Sequence, residues 1–262
     1  MQQLQRIVVK VGTSTLTHAN GRSNIRAMEG LVKVLSDIMN QDIQVALVSS
    51  GAIGVGVGKL RLKSKPKDTP GKQAAATVGQ CELMFMYDKM FAEYGHKVGQ
   101  LLITKEDVDD PKRRGNLVAC FDRLFSLGVI PIINENDAVA VEEIVYGDND
   151  SLSAIVARLV KADQLIILSD IDGVCDADPR LHPEARRIPR VKEITRALRE
   201  ACGGAGSALG TGGMETKLNA AQIATEAGIG TWIINSIPPE NIYRALANED
   251  VGTFFEGVKQ DA

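Results

Sequence analysis

The 262-residue sequence holds only four cysteines, three histidines and 4% aromatic residues, and each shortage removes a class of explanation. Cys81, Cys120, Cys175 and Cys202 are scattered, with no Cys-x-x-Cys pair. They suit core packing in a reducing compartment better than a disulfide framework or a zinc site. His18, His96 and His182 stand apart, each near a turn, and no Ser-His-Asp spacing supports a hydrolytic triad. No apolar run approaches the roughly 20 residues that span a bilayer. The N-terminus enters an apolar strand at residues 6–11 without a signal-peptide pattern. Net charge is −3 and the pI about 5.7, which argues against a nucleic acid backbone as the main partner. The expectation is a cytoplasmic protein with no membrane and no nucleic-acid partner.

The common phosphate signatures are missing too. There is no Gly-x-x-x-x-Gly-Lys-Ser/Thr, and Gly54, Gly56 and Gly58 do not fit Gly-x-Gly-x-x-Gly. Basic residues are also absent from one long window, since no Lys or Arg lies between Arg123 and Arg158. That window nevertheless carries Glu135, Asp137, Glu142, Glu143, Asp148 and Asp150. An acidic wall cannot hold a phosphate alone, but it can hold an ammonium group or a metal ion.

What is present is an alternation of strand and helix patterns. Residues 7–11, 43–48, 98–103, 129–133, 165–168 and 231–234 read as strands. Helical spacing runs from a cap at Ser23 or Asn24 to about 39, then over about 72–94, 111–127, onward from Ser151, and over 194–201, 213–227 and 240–247. The stretch 52–58 either begins a helix or forms a glycine loop. Residues 59–72, basic and punctuated by proline, read as a mobile surface segment. Residues 142–146 suggest a small hairpin excursion. Alternation with crossover-length connections predicts an α/β fold, a three-layer α-β-α sandwich around a mainly parallel sheet. With no linker or repeat in sight, one domain over residues 1–262 is expected.

Three strand ends turn through small residues: Gly12-Thr-Ser, Ser50-Gly51 and Gly210-Thr-Gly-Gly213. Each alone is more simply a tight turn; three in one parallel sheet favour phosphate binding. Lys10 lies inside an apolar strand, where it either points to water from an edge or aims at a phosphate from the strand's carboxyl end. Lys217 sits about one turn into the helix after the glycine-rich stretch. Its bland reading is a solvated helix lysine. Asp148, Asn149 and Asp150 are good capping residues, but one cap needs one of them. Asn134, Asn136 and Asp137 form at least a polar turn after a strand.

Five blocks in order, Lys10-Val-Gly-Thr-Ser-Thr-Leu16, Ser49-Ser-Gly-Ala-Ile53, Pro131-Ile-Ile-Asn-Glu-Asn-Asp-Ala138, Gly147-Asp-Asn-Asp-Ser-Leu-Ser153 and Leu209-Gly-Thr-Gly-Gly-Met-Glu-Thr-Lys217, resemble the glutamate 5-kinases of the amino acid kinase superfamily. The resemblance runs from residue 6 to about 254 and implies an amino acid kinase-like fold. It implies ATP and Mg²⁺, L-glutamate as acceptor, and glutamyl 5-phosphate for proline synthesis as product. Lys10 and Lys217 would flank the transferring phosphoryl group, with Asp150 holding them. Ser50, Asp137 and Asn149 would bind glutamate, with Asn134 and Asp148 nearby. Lys10, Ser169, Asp170, Thr211, Gly212, Gly213, Met214, Glu215, Thr216 and Lys217 would contact the nucleotide. A homo-oligomer, feedback inhibition by proline and coupling to a downstream glutamyl phosphate reductase are further expectations of the resemblance. Two departures stand out. The sequence stops at Ala262 without the C-terminal PUA domain that many bacterial members carry. Gly173-Val-Cys175 also replaces the usual Gly-Leu-Tyr before Asp178-Pro-Arg180, which removes an aromatic near the nucleotide base.

Overall fold

The computed structural model describes residues 4–18, 20–139, 149–177, 182–202 and 213–258. Along the chain come β1 (Arg6–Val11), α1 (Thr13–Leu16), α2 (Ile25–Met39), β2 (Gln44–Ser49), α3 (Ala52–Lys59), α4 (Thr69–Ala92), β3 (Lys97–Ile103), α5 (Lys105–Asp109), α6 (Pro111–Ser126) and β4 (Val129–Glu135). After them come α7 (Asn149–Leu159), β5 (Gln164–Ser169), β6 (Arg190–Val191), α8 (Arg196–Cys202), α9 (Met214–Glu226), β7 (Gly230–Asn235), α10 (Asn241–Leu246) and β8 (Gly252–Phe255). The six strands expected from the sequence are all present. The chain divides into two compact units, one of Met1–Lys10 with Tyr146–Ala262 and one of Val11–Val145.

In the first unit the strands run in the order β1-β5-β7-β8-β6. β1, β5 and β7 pair in parallel, with Lys10 opposite Ile167 and Ser169 opposite Asn235. Ile7, Val8, Val9, Leu165, Ile166 and Ile167 have no exposed surface, which explains why these strands are continuous apolar runs rather than alternating ones. β8, which pairs antiparallel with β7, and the two-residue β6 beside it had no signature in the sequence. Four residues opening on a glycine carry no readable period. Helices α7 and α9 pack on this sheet with Ala154, Ala157, Ala220, Ala221 and Ala224 fully buried, small enough to bring the two helices close.

In the second unit the order is β3-β4-β2, all parallel. Asn24 caps α2, accepting the Ala27 N–H at 3.3 Å, as the sequence suggested. Helix α4 begins three residues before the expected start. Asp68 accepts the Gly71 N–H at 2.9 Å, and Pro70 sits in the first turn, where its missing N–H costs nothing. Residues 60–68 are largely exposed and outside any helix, as expected of a surface segment, and only the end of the expected 59–72 stretch belongs to α4.

Glycines 54, 56 and 58 belong to a helix, and the reason lies in α4. A Cβ on Gly56 would stand 1.8 Å from the Ala75 carbonyl oxygen, and one on Gly79 would stand 1.7 Å from that of Ala52. The two helices therefore cross backbone against backbone, each through the other's glycine. The feature that weakens the α4 pattern at Gly79 is what allows the crossing. Ser50-Gly51 turns the chain from β2 into α3, with Gly51 at φ 99°. Only glycine takes that backbone freely. The expected excursion at 142–146 lies outside the described residues.

Candidate active site

In the first unit, three charged residues from three elements meet at the carboxyl end of β1. Asp150, the second residue of α7, has no exposed surface. Lys10 Nζ from β1 lies 2.5 Å from its Oδ1, and Lys217 Nζ from the first turns of α9 lies 3.2 Å from its Oδ2. Both lysine side chains are only 8% exposed. Lys10 does not point to water, and Lys217 is not a solvated helix lysine. Lys10 meets Oδ1 as a close ion pair, and Lys217 donates a hydrogen bond to Oδ2.

Burial pushes the Asp150 carboxyl up, but the charges of Lys10 and Lys217, with their hydrogen bonds, outweigh it and hold the carboxyl below its ordinary value. The N-terminus of α7 favours the same ionised form. Two ammonium groups against one carboxylate leave the cluster one positive charge in excess. Such a charge in a dry setting attracts an anion, and its cost is reduced, not removed, by Asp150.

Thr216 completes the cluster. Its hydroxyl stands 3.1 Å from Asp150 Oδ2 and 2.7 Å from the Gly213 carbonyl, one proton between two acceptors. The sequence pointed to Thr216 as a nucleotide contact and missed its contact with Asp150, because nothing in linear spacing places residue 216 beside 150. Ser153 donates to the Asp150 carbonyl at 2.5 Å and tightens the first turn of α7. Asn149 is the first residue of that helix, half-buried next to Asp150. Gly213 caps α9, with Met214 and Glu215 in its first turn. At the end of β5, buried Ser169 donates to Asp170 Oδ1 at 3.3 Å, and Asp170 itself is exposed. Asp148, Thr211 and Gly212 lie outside the described residues.

In the second unit, the polar residues gather where β2 and β4 end. Asn134, 2% exposed, donates from Nδ2 to Gln80 Oε1 of α4 at 3.0 Å. Ser49 shares a 2.9 Å hydrogen bond with the buried Tyr87 hydroxyl, also on α4. One helix therefore orients residues from both strand ends, and Ser50 follows directly, its N–H donating to the Val11 carbonyl at 3.1 Å. Gln80 carried no signal in the sequence, being one polar position in a helical run.

Glu135 and Asp137 flank this end of β4. Burial, then the neighbouring Asp137 charge, pushes the Glu135 carboxyl up to about 7. Burial also raises Asp137, with Lys65 pulling the other way. Both half-buried carboxyls are therefore more easily protonated than usual, and a cation beside them would favour their ionised forms.

Among the described residues, no group of three or more His, Cys, Asp or Glu side chains is arranged to hold a metal ion, and no helix is long and apolar enough to cross a membrane.

A profile of the amino acid kinase family matches residues 5–235. The chain is 52% identical over 263 residues to a glutamate 5-kinase of Clostridium perfringens, covering 99% of this chain and 98% of that one. It is 54% identical over 255 residues to a glutamate 5-kinase of Clostridium acetobutylicum, covering 97% and 96%. A glutamate 5-kinase of Caldanaerobacter subterraneus is 51% identical over 254 residues, spanning 97% of this chain and 68% of its own. Among solved structures, a T. acidophilum isopentenyl phosphate kinase superposes with a TM-score of 0.66 at 21% identity, over 95% of this chain and 99% of that one. The UMP kinase of Bacillus anthracis gives 0.66 at 16% identity, over 98% of each. At those identities the structural likeness establishes the fold.

Proposed function

The chain belongs to the amino acid kinase family, and from that premise we propose that it transfers the γ-phosphoryl group of ATP to the side-chain carboxylate of L-glutamate, yielding glutamyl 5-phosphate and ADP at the first step of proline biosynthesis. The observation that carries this reading is the buried Asp150 between the Lys10 and Lys217 ammonium groups. Phosphoryl transfer needs positioning and charge stabilisation more than covalent chemistry. A glutamate carboxylate oxygen attacks the γ-phosphorus, the bond to the β-γ bridging oxygen breaks, and no base is required because the nucleophile is already ionised. Lys10 and Lys217 offset the charge that develops on the phosphoryl and leaving oxygens. Asp150 keeps both ammonium groups converged between turnovers.

The residues proposed to bind glutamate are Ser50, Asn134, Asp137, Asp148 and Asn149. A nucleoside monophosphate or isopentenyl phosphate would want basic residues there. Glu135 and Asp137 instead suit the ammonium of a free amino acid. On the donor side Ser169, Asp170 and the stretch Thr211, Gly212, Gly213, Met214, Glu215 and Thr216, with both lysines, receive ATP. No described residues form a metal-holding cluster, so Mg²⁺ would come with ATP and would neutralise part of the phosphate charge that Lys10 and Lys217 also offset. In this reading residues 1–262 work as one kinase domain in the cytoplasm, as a homo-oligomer, and the labile acyl phosphate passes to a downstream glutamyl phosphate reductase.

Purified protein with Mg-ATP and a panel of amino acids, with hydroxylamine to trap acyl phosphates, tests the proposal. A glutamate-dependent hydroxamate is the expected product, and hydroxamate with aspartate or with none of the panel would overturn it.

The Glu135 carboxyl adds a pH dependence. Below its value of about 7 the group is protonated and the acceptor side has one negative charge fewer. KM for glutamate should therefore fall as pH rises through that value, and Glu135→Gln should flatten the profile. A KM that rises over the same interval contradicts the assignment. Stability moves the other way. The folded value lies above the ordinary 4.5, so the native state binds the proton more tightly than the unfolded chain, and stability declines as pH climbs from about 4.5 toward 7.

A further inference from the structure

None of the seven residues of helix α8 is fully buried. One guanidinium ties the helix to α9. Arg199 Nη1 donates to Glu215 Oε1 at 2.6 Å and to Asn219 Oδ1 at 2.7 Å, and Nη2 donates to Gln222 Oε1. Positions 215, 219 and 222 are spaced by four and three, so they form one stripe of α9. The stripe lies apart from Lys217, Leu218, Ala221 and Ala224, which are buried. Gln222 Nε2 donates to Glu226 Oε1 at 2.8 Å, which turns the amide oxygen toward Arg199.

The fork therefore reaches two turns of α9, starting two residues before Lys217. As a surface contact it would stabilise little, because Arg199 is 24% and Glu215 54% exposed. Its chemical consequence is larger than its stability. Glu215 lies in the first turn of α9, in the same turn as Thr216 and next but one to Lys217. Its side chain leaves α9 on the exposed stripe, yet it adds a negative charge to the first turn that receives a triphosphate in the proposed function, where unpaired it would oppose the ligand. A short three-acceptor fork both neutralises that charge and fixes the side chain away from the lysine.

We propose that Arg199 is a positioning residue for nucleotide binding: through Glu215, Asn219 and Gln222 it holds the first turns of α9 and keeps the Glu215 carboxylate from opposing the ATP phosphates. The inference rests on the donor-side role of α9 given above. Neither the lysine cluster nor the acceptor residues are touched by it.

The test is steady-state kinetics joined to calorimetric binding of Mg-ATP, with Arg199→Ala, Arg199→Lys, Glu215→Gln and the Arg199→Ala/Glu215→Gln double variant. Arg199→Ala should raise KM and Kd for ATP about tenfold, equivalent to roughly 1.4 kcal/mol, with kcat and the glutamate KM within about threefold of the parent. Arg199→Lys, which keeps the charge and loses the fork, should fall between. The double variant should recover most of the lost ATP affinity, because the charge that Arg199 offsets is gone. A double variant no tighter than Arg199→Ala overturns the proposal, as does an Arg199→Ala that binds ATP normally. Should Arg199→Ala fail to fold, Arg199→Lys against Glu215→Gln decides by the same Kd comparison. Calorimetry separates the two readings. A parent protein that binds Mg-ATP but makes no glutamyl hydroxamate sinks the proposed function, while the Arg199 comparison still reads out through Kd.

Discussion

Asp150→Asn is expected to lower kcat for glutamate phosphorylation by about a thousandfold, the upper end of what removal of one preorganised electrostatic group costs. The amide keeps the shape of the carboxylate but not its charge, and it confronts two ammonium groups at once. Lys10 and Lys217 lie 2.5 and 3.2 Å from the Asp150 oxygens and have little water to turn to. Left unpaired in a buried site they must separate, shed a proton or admit solvent. Each outcome removes charge from the point where the phosphoryl group passes. Loss of one partner of a buried ion pair also costs stability, about 3–5 kcal/mol in comparable cases, so the melting temperature should fall together with kcat. The carboxylate also sets an acid limit. Because Asp150 is held below its ordinary value of 3.8 in the folded protein, its contribution is present above that value and is lost as pH falls through the folded one. A variant with kcat within tenfold of the parent would show that Asp150 does not organise the lysines.

The largest structural effect is expected at Gly79. An alanine in a helix interior ordinarily gains about 1 kcal/mol over glycine. At position 79 the new methyl would stand 1.7 Å from the Ala52 carbonyl oxygen and 2.5 Å from the Gly56 nitrogen. Backbone atoms cannot swing aside as a side-chain tip can, so α3 and α4 must separate. The cost should exceed the 1–3 kcal/mol common for overpacking, and a melting temperature lowered by at least about 6 °C is the expected result. The damage should reach function as well. Gln80 holds Asn134 and Tyr87 holds Ser49, both from α4, and Ser50-Gly51 leads into α3. Gly115→Ala is the control, since a methyl there meets nothing within 4 Å on helix α6 and should leave stability unchanged or slightly raised. Equal stability of the two variants would refute the backbone crossing.

These two positions show what a linear sequence reveals and what it withholds. The crowding of Asp148, Asn149 and Asp150 at a helix start that needs one capping residue was legible locally, and the family resemblance singled out Asp150 among them. Lys10 was legible because a charge inside an apolar strand needs a partner. Local supply and demand made these features visible, and the strands β1, β2, β3, β4, β5 and β7 were read from the same kind of pattern. Gly56 and Gly79 were visible only as an ambiguous glycine run and a weak point in a helix, because which helices cross is a tertiary fact. Thr216 beside Asp150, Gln80 beside Asn134 and the Arg199 fork escaped for that same reason. The raised Glu135 carboxyl escaped because burial sets it, and burial is not written at position 135. β8 was lost to brevity.

In the proposed reaction the labour divides, with lysines carrying the phosphoryl group and acids and amides selecting the amino acid. The most direct test is Lys217→Ala, compared with the parent for glutamate-dependent hydroxamate formation and for glutamate binding by calorimetry. The predicted result is a parent that forms glutamyl hydroxamate and a variant whose kcat drops by about a thousandfold, with glutamate affinity within about threefold. A variant that keeps kcat and only raises the glutamate KM would contradict the account.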